Sequence, residues 1–214
     1  MYDIILFDLD GTLTDPGIGI TNSVAHALAH WNIEVKDRAE LYKFIGPPLS
    51  DSFMRYYGFS EEDAIQAIAV YREYFSVKGL YENEVYPGIP ELLSALKAAG
   101  KTVVLATSKP EALSIEILNH FGLSPYFEII AGAGMDGVRD KKSEVIAYLL
   151  EQIHCYDGIV MVGDTKFDIL GAAAHNIPAV GVSWGYGLRE DMEAAGAAAI
   201  ANTMDELYTI LHTL

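Results

Sequence analysis

The chain has 214 residues, 51% apolar and 21% charged, which excludes global disorder and leaves room for one large domain or a core with a modest insertion. Thirty acids against fourteen bases give a net charge of −16 with no concentrated basic patch, arguing against nucleic acid or an anionic membrane as partner. The nearly uncharged stretch Ala194–Met204 falls short of the ~20 apolar residues a span needs, Asp3, Asp8 and Asp10 stand where a signal peptide would be cationic and apolar, and a single cysteine, Cys155, allows no internal disulfide and suits a reducing cytoplasm.

In chain order, the first apolar run, Tyr2–Phe7, reads as a strand covered on both faces and leads directly into Asp8-Leu9-Asp10-Gly11-Thr12. Positions i and i+2 of an extended segment point the same way, so Asp8 and Asp10 should present two carboxylates at the strand's carboxyl end. Ligands of open α/β sheets bind at such ends. Two close carboxylates suit a nucleophile beside an acid that later acts as base. Gly11 would supply the sharp turn, and Thr12 offers a hydroxyl and an N–H.

From about Pro16 to Tyr86 the pattern is helical throughout, over Ile18–Trp31, Arg38–Phe44, Leu49–Tyr57 and Ser60–Lys78, with no convincing strand. Gly46-Pro47-Pro48 and Gly58 interrupt it. This segment holds ten acids and six bases, against twenty and eight in the rest, so it repels an anion less. Tyr56, Tyr57, Tyr71, Tyr74 and Phe75 recur at roughly helical spacing, and packing into a core is favoured over a stacking platform.

Strand and helix then alternate: helices over Pro87–Ala99, Pro110–Phe121, Lys142–His154 and Thr165–His175, strands over Thr102–Thr107, Phe127–Ala131, Gly158–Gly163, Ala179–Ser183 and, weakly, Ala198–Ala201. The expected fold class is α/β, a Rossmann-like parallel sheet (1–15 and 87–214) with an inserted all-helical cap (16–86). Thr107, Ser108 and Lys109 bring a hydroxyl and helix N-terminal N–H groups to one strand end, a place for an anion. Lys142 opens a helix against its dipole, which hints at a partner, although spacing alone does not separate it from Lys141. Asp164 and Asp168, four apart after another strand, offer hard oxygens that suit Mg²⁺; the plainer reading makes Asp164 only a helix N-cap. Trp184-Gly185-Tyr186-Gly187 either borders the site or is a flexible turn.

With these residues in view, the chain resembles the haloacid dehalogenase superfamily over essentially its whole length, in the subgroup similar to phosphoglycolate phosphatases with a helical cap. Phe7-Asp8-Leu9-Asp10-Gly11-Thr12-Leu13 matches the first motif, Ala106-Thr107-Ser108-Lys109-Pro110 the second, the Lys141/Lys142 region the third and Gly163-Asp164-Thr165-Lys166-Phe167-Asp168 the fourth. The third departs from the family pattern, with Ser143 where a proline usually follows the lysine. The resemblance implies a Mg²⁺-dependent phosphatase in which Asp8 is phosphorylated and Asp10 is the general acid/base. It implies metal ligation by Asp8, the Asp10 carbonyl and Asp164 with Asp168 nearby, and phosphoryl binding by Thr107, Ser108 and Lys142.

Phe44-Ile45-Gly46-Pro47-Pro48-Leu49 resembles the loop by which such caps reach the substrate, which makes Gly46, Pro47, Lys43 and Arg55 candidates for specificity; a plain helix connection accounts for it as well. A small phosphorylated metabolite is the expected partner, a phosphoglycolate-like or nucleotide-like ester, and a monomer or homodimer the expected assembly. Asp10 argues against a dehalogenase or phosphonatase. The alternatives are a sugar-phosphate mutase of the same family and a non-enzymatic receiver-like switch phosphorylated on Asp8.

Overall fold

The computed structural model describes residues 2–135, 138–153 and 158–213, so Cys155 and the end of the helix expected over Lys142–His154 lie outside the described residues. Strand β1 (Ile4–Phe7) is followed by a two-residue strand β2 (Thr14–Asp15), then α1 (Gly17–His30), a 3₁₀ segment Arg38–Phe44, α2 (Leu49–Tyr57) and α3 (Glu61–Tyr74), which ends in a π turn, Phe75–Gly79. The chain returns through β3 (Glu84–Val85), which pairs with β2. Strands and helices then alternate: α4 (Ile89–Ala98), β4 (Thr102–Pro110), α5 (Glu111–His120), β5 (Ile129–Ala133), α6 (Lys142–Leu150), β6 (Ile159–Gly163), α7 (Lys166–Ala173), β7 (Ala179–Val182), α8 (Arg189–Ala194), β8 (Ala199–Ala201) and α9 (Met204–Thr213). Two compact units result, Met1–Thr14 with Val85–Leu214, and Asp15–Glu84.

The first unit is built on a six-stranded parallel sheet in the order β5-β4-β1-β6-β7-β8. Ile4 and Leu6 join Val104, Met161, Val145, Ile146, Leu149 and Ile169 in one core cluster with α6 and α7, while Ile5 and Phe7, pointing the other way, are also fully buried. That is why the strands read as unbroken apolar runs. After β5 the chain crosses back over β4 and β1 to reach β6, so strand order reverses around β1. The carboxyl ends of β1, β4 and β6 therefore flank the crevice where such sheets bind ligands.

The second unit is helical apart from its half of the β2–β3 pair. The sequence signals no strand there because two residues carry no measurable period. In this unit α1 approaches the π turn so closely that a Cβ at Gly19 would collide with the Gly79 carbonyl. Phe44, Phe53 and Phe59 stack or meet edge-on with ring centres 5.0–5.6 Å apart; Tyr71 and Phe75 are buried, whereas Tyr56 lies at the surface. Of the two C-terminal helices, α8 has only Met192 as an apolar anchor, too few to announce it in the sequence, while α9 buries Leu207 and Leu211. No described helix is long and apolar enough to cross a membrane.

Candidate active site

Asp8 leaves β1 with its N–H on the Val162 carbonyl (2.9 Å) and its side chain buried. The chain then folds back at once. The Leu9 carbonyl accepts the N–H groups of Leu13 (2.9 Å) and Thr14 (3.1 Å), and Gly11 donates to Thr14 (2.7 Å). Gly11 has φ +83°, and a Cβ there would collide with the Asp164 carboxylate, so the position demands glycine for conformation and for space.

The two acids of this turn meet different cations. Lys142, the buried first residue of α6, places Nζ 2.6 Å from Asp8 Oδ1 and 2.7 Å from Asp168 Oδ1, and donates to the Ala106 carbonyl at 3.0 Å. The carbonyl contact is a hydrogen bond and the two carboxylate contacts are ion pairs. Two carboxylates outweigh the opposing helix dipole, which accounts for a cation at a helix start. Lys141 is exposed, so the structure separates the adjacent lysines that spacing left equal. Asp10, in turn, is held by Lys109: Nζ stands 2.6 Å from Asp10 Oδ2, in a pair whose side chains are 6% and 13% exposed.

Asp168 Oδ2 accepts the N–H of Thr165 (3.0 Å) and its hydroxyl (2.8 Å), so Thr165, not Asp164, occupies the N-cap of α7. The capping reading of Asp164 is thereby set aside. Asp164 is instead clamped by the loop after β7: Tyr186 N–H donates to its Oδ2 at 2.7 Å, and Trp184 Nε1 donates to the Thr12 carbonyl at 3.1 Å. A Cβ on Gly185 would strike the Asp164 side chain, and one on Gly187 the Asp164 carbonyl. This loop is therefore a close-fitting strap over the acids. The backbone N–H of Tyr186 was invisible in the sequence, since main-chain donors carry no residue signature.

Asp8, Asp164 and Asp168 each offer a carboxylate oxygen within 4.8 Å of the others, all buried. Burial, outweighing the attraction of Lys142, pushes Asp8 up to about 6, and the Asp168 charge adds to the rise. Asp164 is raised well above its ordinary value by burial and by its two acidic neighbours, whereas the same acids overcome desolvation to raise Lys142. One ammonium does not balance three buried carboxylates. Asp164 Oδ1 is buried without a hydrogen-bond partner among the described residues. Hard oxygens, excess negative charge and an orphaned acceptor fit a small divalent cation.

At the end of β4 the register against β5 shifts between Ala106 and Pro110, and β4 runs past the expected Thr107. Thr107 is buried and accepts the Lys109 N–H at 3.2 Å, and its hydroxyl favours the ionised form of Asp8; Ser108 is half-buried. Lys109 is the side chain that the sequence reading placed nearby without giving it a role. The remaining candidates lie in the second unit. Lys43 Nζ sits 4.5 Å from the Tyr56 ring centre and 5.4 Å from that of Tyr57, Arg55 lies 5.6 Å from Tyr56, Gly46 has φ +104°, and Pro47 is half-buried.

Residues 5–182 match the haloacid dehalogenase-like hydrolase family. The chain is 48% identical over 198 residues to a 5'-nucleotidase of Pseudomonas aeruginosa, covering 90% of this chain and 88% of that protein. It is 41% identical over 207 residues to the tyrosine-protein kinase PtkA of Mycobacterium tuberculosis, covering 95% of this chain and 70% of that one. The crystal structure of a predicted phosphatase from Clostridium acetobutylicum superposes with a TM-score of 0.98 at 47% identity over the whole of both chains. Since the family match spans most of the sequence and the relatives and structures aligned over nearly the whole chain include named phosphatases, this chain belongs to the haloacid dehalogenase-like hydrolases and is a phosphatase of that family.

Proposed function

We propose that the protein is a Mg²⁺-dependent phosphomonoesterase that works through a phosphorylated Asp8. The observation that carries this reading is the buried cluster in which Lys142 touches Asp8 and Asp168 while Asp164 keeps an unpartnered oxygen. Hydrolysis of phosphate monoesters is among the slowest uncatalysed reactions, so the site must neutralise phosphoryl oxygens and supply a nucleophile better than water. Mg²⁺ held by Asp8, Asp164 and the Asp10 carbonyl, with Asp168 beside them, would supply positive charge for the phosphoryl oxygens and keep Asp8 ionised.

The rest is the work of this chain's own groups. Asp8 attacks phosphorus while Thr107, Ser108 and Lys142 hold the phosphoryl oxygens. Asp10 gives a proton to the departing ester oxygen, then takes one from the water that attacks the aspartyl-phosphate. Asp168 orients Lys142 through its 2.7 Å contact, with its other oxygen fixed by Thr165. Resemblance to a named 5'-nucleotidase at 48% identity puts nucleoside monophosphates first among substrates, ahead of phosphoglycolate.

The test is rapid acid quench with Mg²⁺ and a labelled monoester. A phosphoenzyme cleaved by hydroxylamine, absent in Asp8→Asn and in chelator, is the expected result; steady turnover in chelator would sink the reading. The 41% relative named as a tyrosine kinase favours a second acceptor, a tyrosine hydroxyl in place of water. Phosphotyrosine formed at the expense of free phosphate would identify it.

A further inference from the structure

We infer that Lys109 is the positioning residue for Asp10, anchoring Oδ2 so that Oδ1 is the oxygen that exchanges the proton with leaving group and water. The inference rests on the reading of Asp8 as nucleophile and Asp10 as acid/base given above. Lys109 Nζ lies 2.6 Å from Asp10 Oδ2, and the Lys109 side chain is 6% exposed, so this is an enclosed, charge-assisted bond rather than a surface pair. Asp10 Oδ1 is buried and has no hydrogen-bond partner among the described residues. A carboxylate with one oxygen tied and the other free has one orientation and one available site.

The strand end that presents Lys109 is itself held. Its N–H donates to the Thr107 hydroxyl, its carbonyl lies where a Cβ on Gly132 would come within 2.6 Å, and Glu111, two residues on, accepts the Gly132 N–H at 3.3 Å. The register shift of β4 at this point turns the lysine out of the regular ladder. Backbone placement of Lys109 therefore fixes the acid/base through a single bond.

The chemistry gives this a kinetic signature. In the first step Asp8 forms its bond to phosphorus as the ester oxygen leaves and takes the Asp10 proton. In the second, water bonds to phosphorus, its proton passes to Asp10, and the bond to Asp8 breaks. An activated aryl leaving group needs little protonation, so with 4-nitrophenyl phosphate only the second step depends strongly on a well-aimed Asp10.

Single-turnover acid quench of the Mg²⁺-loaded enzyme with 4-nitrophenyl phosphate reads nitrophenolate release and phosphate release separately. In Lys109→Met, phosphorylation should stay within about threefold of the unaltered enzyme, while dephosphorylation slows by about tenfold to a hundredfold, part of the 10²–10⁴ that positioned proton transfer supplies. Phosphoenzyme then accumulates. Lys109→Arg, which keeps a cationic donor, should recover part of the second step. Equal slowing of both steps, or a raised KM with an unchanged ratio, overturns the inference, because the lysine would then serve the fold or touch the phosphoryl group itself. Absence of any phosphoenzyme in the unaltered protein overturns the Asp8 reading and takes this inference with it.

Discussion

Among the described residues, the sheet unit buries five charged side chains, Asp8, Lys101, Lys142, Asp164 and Asp168, whereas the helical unit Asp15–Glu84 buries none. The polar groups buried in the latter, Thr21, Ser23, Ser52 and Asn83, are neutral, and its cations Lys43 and Arg55 lie outside over tyrosine rings. Burying a charge is costly unless it is paired, and four of the five in the sheet unit gather at strand carboxyl ends, where a ligand would complete the balance. One unit thus carries a costly cluster of buried charges, while the other is an apolar-cored helical bundle with its charged groups outside. On the proposed function, bond breaking would fall to the first unit and substrate choice to the second.

The largest effect that would break this contrast is on Asp8. Asp8→Asn replaces the nucleophile with an amide and should lower kcat by about a thousandfold or more while the protein stays folded; residual activity above one tenth would remove Asp8 from its role. Next is Lys142→Met, which leaves Asp8 and Asp168 as unpaired buried carboxylates. Losing one partner of a buried pair costs about 3–5 kcal/mol, so the chelated variant should melt well below the unaltered protein. Removing the exposed Lys43 should leave the melting temperature nearly unchanged. Similar losses for both lysines would contradict the difference between the units.

A third effect comes from pH. Because burial raises Asp8 to about 6, the folded, metal-free protein binds its proton more tightly than the unfolded chain does. The stability from this group is fully present below pH 3.8 and is lost as pH rises through about 6, and Asp164, raised for similar reasons, acts in the same sense. In chelator, lowering pH from 7.5 towards 5 should therefore raise the melting temperature relative to Asp8→Asn. Saturating Mg²⁺ should shrink that slope, and thermal unfolding across this range with and without the metal checks both statements.

The smallest effect is reserved for the helical unit. Pro47→Ala, Lys43→Ala and Arg55→Ala should change the ratio of kcat/KM between a nucleoside monophosphate and 4-nitrophenyl phosphate by about tenfold or less, with Asp8 phosphorylation intact. An unchanged ratio would take substrate choice away from these residues.

Much of the sheet was legible because parallel strands covered on both faces leave long apolar runs, and β1, β6 and β7 fall within the expected ranges. The extension of β4 to Pro110 was not legible, since it depends on an irregular pairing with β5 rather than on local pattern. Nor were β2 and β3, whose existence depends on each other.

By itself the sequence determined that Asp8 and Asp10 leave one strand end and Asp164 another, because a strand's carboxyl end gathers its own i and i+2 side chains and a parallel sheet brings such ends to one edge. Tertiary structure alone decided that Lys142 rather than Lys141 is buried against Asp8, that Thr165 rather than Asp164 caps α7, and that Lys109 reaches Asp10 across 99 positions of sequence. Each of these choices is a contact between different strands or between a loop and a strand end. Its partner is fixed by sheet order and register, which no local pattern of residues records.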